Sequence, residues 1–139
     1  MIRKHLDNDL EQIMKVWQES STMAHPFLNP VFVEKVKTDM RTMYIPGSET
    51  WVYENEQGII GFISMMDNEI AGLFVLPQNH SKGIGTKLVN FVSDFNDTLE
   101  VEVFQQNKIG RSFYNKYGFK QIREFLHEES TEQVLRLIK

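Results

Sequence analysis

The spacing of apolar positions changes several times along this chain, and each change marks an element. Ile2 to His5 reads as a short first strand. Asp7, Asn8 or Asp9 then suits the cap of a helix that carries Leu10, Ile13, Met14 and Trp17 on one face. That helix is expected to fade near Ser20. Ser21 to Pro30, punctuated by Pro26 and Pro30, reads as a loop, and Val31 to Tyr44 is helical again. Pro46-Gly47-Ser48 turns the chain into the strand Trp51 to Glu54, and Asn55-Glu56-Gln57-Gly58 forms a hairpin connection to a strand from Ile59 to Met66. A turn over Met66 to Glu69 delivers the strand Ile70 to Leu76, in which Gly72 suits a bulge. From Ile84, the positions Leu88, Val89, Phe91, Val92 and Phe95 line one side of a helix. Thr98 to Phe104 is strand-like, and Ile109, Phe113 and Tyr117 pattern a shorter helix that stops at Gly118. Strands near Phe119 to Leu126 and Gln133 to Ile138 close the chain.

This order predicts an α/β domain of the α+β kind, with a mixed, mostly antiparallel central sheet flanked by helices. Hairpins make the early strands antiparallel, and the later crossover helices favour parallel neighbours. A chain of 139 residues, 41% of them hydrophobic, suffices for one core and not two, so residues 1–139 are expected to form a single domain. Cysteine is absent, which excludes disulfides, thiolate metal sites and a cysteine nucleophile and suits a reducing compartment. No run approaches the ~18 apolar residues of a membrane span, and no signal-like apolar core opens the chain. A cytoplasmic protein without a membrane partner is expected. The net charge of −4 argues against nucleic acid as a partner and leaves basic substrates open. His5, His25, His80 and His127 lack ligand spacing, so no metal is expected.

The chemistry concentrates where the strand Leu73-Phe74-Val75-Leu76 gives way to a helix across Pro77-Gln78-Asn79-His80-Ser81-Lys82-Gly83-Ile84-Gly85-Thr86. A helix start presents amides without intrahelical partners at the positive end of its dipole, which favours an anion. Lys82 and Lys87 can add charge. Leu88 stands where a dinucleotide fold needs its third glycine, and no Gly-Lys-Ser/Thr loop is present, so two familiar phosphate loops are excluded. On the residues alone, Gly83 and Gly85 suit either ligand approach or tight packing.

The segment resembles motif A of the GNAT family of N-acetyltransferases, a Gln/Arg-x-x-Gly-x-Gly/Ala turn after a strand and Val-x-Pro, with His80 at the Gln/Arg position. Downstream, Asn107-Lys108-Ile109-Gly110-Arg111-Ser112-Phe113-Tyr114 followed by Gly118-Phe119 resembles that family's Asn-x-x-Ala-x-x-Phe-Tyr signature, with Gly110 in place of alanine. The N-terminal stretches, Trp17 to Thr22 and His25-Pro26-Phe27, are similar to YiaC-like bacterial N-acetyltransferases, a subgroup that includes peptidyl-lysine acetylation. The resemblance implies a GNAT fold and acetyl-CoA as co-substrate. Leu73, Phe74 and Val75 would offer main-chain groups to the pantetheine arm. Ser81, Lys82, Gly83, Ile84, Gly85 and Thr86 would cradle the pyrophosphate, and Asn107 would cap its helix and touch the CoA arm.

Transfer of an acetyl group from a thioester to an amine expels a thiolate, which leaves more readily beside an acid. Tyr114, a phenol with an ordinary pKa about 10, suits that task, with plain core packing as the alternative. An amine of pKa about 10.4 must lose a proton before it attacks. By the resemblance Glu102 is the first candidate for the base, acting through water. Glu100 points to the same side and is its rival, and His25 is a third contender. A backbone N–H near Phe74 or Val75 can serve the tetrahedral oxygen. The expected acceptor is a primary amine, on a protein lysine, an N-terminus or a small molecule, attacking directly in a ternary complex. A non-catalytic acyl-CoA sensor is the alternative reading, and a homodimer is left open.

Overall fold

The computed structural model describes all residues from Met1 to Lys139. Seven strands form one sheet: β1 (Ile2–Lys4), β2 (Glu49–Asn55), β3 (Gly58–Met66), β4 (Glu69–Val75), β5 (Glu100–Phe104), β6 (Lys120–His127) and β7 (Glu132–Ile138), in the order β1-β2-β3-β4-β5-β7-β6. The helices are α1 (Leu10–Ala24), α2 (Pro30–Asp39), the single turn α3 (Ile45–Gly47), α4 (Ile84–Ser93) and α5 (Lys108–Tyr117). The mixed, mostly antiparallel sheet expected from the sequence is therefore present. No helix is long and apolar enough to cross a membrane.

β3 is buried without a break from Ile59 to Met65, which requires cover on both faces. α1 supplies one cover and α4 the other, Trp51 of β2 packing against Phe91 of α4 with ring centroids 4.8 Å apart. Ile13, Phe62, Ile63, Leu88, Val89 and Val92 are fully enclosed between these layers. Ser64 pairs with Gly72 but Met65 pairs with Ile70, so Ala71 is the extra residue of a bulge beside the expected glycine.

Three expectations need correction. α1 does not fade at Ser20 but runs to Ala24. The Ser20 and Thr22 hydroxyls donate back to the carbonyls of Val16 and Gln18, 2.6 and 2.7 Å away, so these residues satisfy themselves within the helix. The second helical region likewise passes Tyr44 through a π turn at Met40–Tyr44 into α3, and the strand expected from Trp51 already begins at Glu49. Finally, only one crossover yields a parallel neighbour. β4 and β5 are parallel, whereas the crossover through α5 places β6 two positions from β5. The β6–β7 hairpin folds back so that β7 fills the intervening position, antiparallel to both.

Candidate active site

β4 and β5 pair only at Glu69↔Glu100 and Ile70↔Val101, then diverge. The rest of β4 keeps its bonds to β3 alone. Leu76 N–H donates to Ile60 O at 2.8 Å, so by the alternation of an antiparallel pair Phe74 turns its main chain toward β3 while Leu73 and Val75 face the gap. The Phe74 ring packs against Phe62 on the far face, 5.6 Å between centroids. Of the two amides expected to serve the reacting oxygen, the geometry therefore favours Val75 and turns Phe74 away.

A groove of about 710 Å3 continues from this gap, lined by Leu73 and Val75, by the turn residues Asn79, His80, Ser81, Gly83, Ile84, Gly85 and Thr86, and by one face of α5. Met23 reaches it from the end of α1. Such a volume suits a small-molecule site. The turn is built from left-handed residues, Ser81 at φ 64° and Gly83 at φ 80°, and Gly83 precedes α4 without any side-chain cap. The first amides of α4 are thus left for a ligand. A Cβ on Gly83 would meet nothing within 4 Å, whereas one on Gly85 would lie 3.1 Å from the Phe113 ring. The two alternatives for the glycine pair divide between them: Gly83 keeps the turn open, and Gly85 lets α4 pack on α5.

Two expected cations stand elsewhere. Lys82 borders a separate cavity behind the turn with Tyr53 and Glu56, and the Lys87 ammonium sits 5.9 Å from the Tyr53 ring centroid. Lys108 and Lys116 of α5 line the groove instead. With Ser112 they recur every fourth residue, a spacing that puts them on one helical face and was legible in the sequence. His80 folds back so that its Nε2 bonds the Val75 carbonyl at 2.8 Å, closing the end of β4 rather than reaching outward.

Tyr114 lines the groove, and burial pushes its phenol pKa above the ordinary tyrosine range. It is therefore a neutral proton donor at neutral pH. Asn107 caps α5, its Oδ1 accepting from Gly110 N–H at 2.8 Å, but its side chain is buried and does not line the groove.

Glu102 and Glu100 lie away from Tyr114. Alternation along β5 buries Val101 and Val103 on one side and sends Glu100, Glu102 and Phe104 to the other. There Arg136 of β7 binds Glu100 at 2.7 Å through Nε, Glu102 at 2.8 Å through Nη1 and Glu69 at 3.4 Å through Nη2. These bonds hold the guanidinium pKa above its ordinary value. His25, at the end of α1, packs on Phe104 of the same face, and burial brings its pKa down to about 4. Both of its ring nitrogens are hydrogen-bonded, to Ser21 and Asn107, which removes it as a free base.

The acetyltransferase (GNAT) domain family matches residues 46–121. The peptidyl-lysine N-acetyltransferase YiaC of Escherichia coli K12 is 32% identical over 120 residues, 86% of this chain and 82% of that protein. The chain belongs to the GNAT acetyltransferases. Another relative of this GNAT enzyme is the peptidyl-lysine N-acetyltransferase YjaB of the same organism, 28% identical over 86% of this chain and 81% of YjaB. The solution structure of apo YjaB superposes with a TM-score of 0.90 at 25% identity, covering 99% of this chain and 95% of that one. The PaiA N-acetyltransferase of Thermoplasma acidophilum, solved with coenzyme A, shares the fold with a TM-score of 0.81 at 22% identity, covering 98% and 96% of the two chains. As a GNAT enzyme the chain is an N-acetyltransferase, and acetyl-CoA is the family's acetyl donor.

Proposed function

We propose that this enzyme moves the acetyl group of acetyl-CoA to a primary amine, a protein lysine above all, by direct attack in a ternary complex. One observation carries the reading: a single groove joins open helix-start amides at one end to the strand gap and the Tyr114 side chain at the other. The unpaired amides of residues 84–86, with Lys108 and Lys116, suit the phosphates, and the outward main chain of Leu73 suits the pantetheine amides. Residues 1–139 act as one unit in this reading, since every strand joins one sheet. The lysine acceptor is supported by the names of YiaC and YjaB.

The amine lone pair attacks the thioester carbonyl, the Val75 N–H receives the developing oxyanion, and collapse breaks the C–S bond. Tyr114 gives its proton to the departing thiolate. Burial raises the proton affinity of the thiolate as it does that of the phenol, so burying both leaves the gap between the two acids near its ordinary size. Glu102 accepts the ammonium proton through water before the attack, and the proton that the nitrogen sheds after it restores Tyr114. One guanidinium among these three carboxylates leaves the cluster itself with an excess of negative charge, which suits a cationic amine.

Mass spectrometry after incubation with acetyl-CoA and a library of lysine peptides and small amines tests the acceptor. Tyr114→Phe is expected to lower kcat about 100-fold with little change in acetyl-CoA affinity. Glu102→Gln should lower kcat more than Glu100→Gln. Binding without transfer to any amine, with a Tyr114→Phe variant no different from wild type, would leave an acyl-CoA sensor in its place.

A further inference from the structure

His25 is enclosed by the rings of Phe27 and Phe104, centroids 5.8 and 5.1 Å away. Its Nδ1 lies 3.1 Å from Ser21 Oγ and its Nε2 lies 3.1 Å from Asn107 Nδ2. The backbone decides which way these bonds run. Gly110 N–H can only donate, and it donates to Asn107 Oδ1. The amide nitrogen of Asn107 therefore faces His25, Nε2 must accept, and the single ring proton sits on Nδ1 and is donated to Ser21 Oγ. Ser21, His25, Asn107 and Gly110 form one polarised chain from the last turn of α1 to the first turn of α5, joining residues 82 positions apart in sequence.

Gly110 has its reason in the same contact. A Cβ there would lie 2.6 Å from Asn107 Nδ2 and 3.2 Å from Val103 Cγ2. An alanine, the residue of the resembling motif, would displace the Asn107 amide from His25.

We propose that His25 is a positioning residue that holds Asn107, and through it the first turn of α5, so that Tyr114 two turns later is set in the groove. This rests on the groove being the acetyl-CoA site. His25 belongs to the loop between α1 and α2, on the face that carries Glu102, so the link also ties the acceptor side to the cofactor side. Seating of acetyl-CoA against α5 and ordering of residues 25–29 are then coupled, each favouring the other.

The test measures acetyl-CoA affinity by calorimetry, together with kcat and KM against pH, for wild type, His25→Ala, Asn107→Ala and the double variant. His25→Ala is expected to weaken acetyl-CoA binding about tenfold, with no further loss in the Asn107→Ala background. Losses that multiply overturn the proposal. So does a His25→Ala variant that binds normally but loses the acidic limb of its kcat profile, the signature of a base. Gly110→Ala breaks the same link with His25 intact and should reproduce the loss of affinity; unchanged affinity counts against the proposal even if His25→Ala fails to fold. Nitrogen NMR of labelled histidine reads the tautomer without any ligand. A proton on Nε2 overturns the role of His25 alone, whereas wild type that binds no acetyl-CoA overturns the site as well.

Discussion

Burial between two aromatic rings brings the His25 pKa from its ordinary value of 6.5 to about 4, and a hydrogen-bonded Nε2 has no room for a second proton. An unfolded chain takes up a proton at His25 as pH falls through about 6.5, while the folded chain refuses it until about 4. Over that window the unfolded state holds more protons. His25's contribution to stability is therefore complete above about pH 6.5 and falls toward about pH 4, by at most about 1.4 kcal/mol per pH unit. Urea titrations across this window should show the slope, and His25→Gln should flatten it. Asp9, whose carboxyl is held low by hydrogen bonds from Arg3, adds its own loss only at more acidic pH. At this scale the sequence spoke clearly where one residue's conformation decides its role. Gly118 ends α5 at φ 114° and Asn107 caps its start. It offered His25 only as a contender for the base, because the partners of His25 are chosen by packing.

α4 and α5 face each other across the groove, and their charges do not contribute alike. Lys108 and Lys116 line it and Lys82 does not. Lys108→Ala and Lys116→Ala are each expected to weaken acetyl-CoA binding several-fold and to flatten its salt dependence, with a smaller effect from Lys82→Ala. Calorimetry at low and high salt separates the three, and a dominant effect of Lys82 would reverse the assignment. The start of α4 was legible because glycines, a preceding strand and an apolar helical face are all local signals. The cation assignment was not, since closeness in sequence to the turn is a poor guide to which way a lysine points. Glu102 shows the same limit: strand alternation placed it beside Glu100 correctly, but its arginine partner comes from β7, 34 positions away.

For the whole molecule, the unpaired amides of α4 and the opening between β4 and β5 make the bound form the more completely satisfied one. Acetyl-CoA at about 100 times its Kd should stabilise the fold by about 2.7 kcal/mol, which raises Tm by roughly 5–10 °C in a domain of this size. Differential scanning calorimetry checks this. Tyr114→Phe should keep most of the shift, because its hydroxyl acts on the reaction more than on seating. Absence of any shift in wild type would mean that the groove does not hold the cofactor.

By itself, the sequence determined the order of elements, the glycine turn and the capped helix at Asn107, and its two motifs pointed to the family. Each of these is written in residues within a few turns of one another, where backbone preference and side-chain spacing decide the outcome. Only the tertiary structure decided that β7 enters between β5 and β6, that β4 and β5 part after two paired positions, and that His25 meets Asn107. Those contacts join distant segments, and their geometry exists only once the layers have packed.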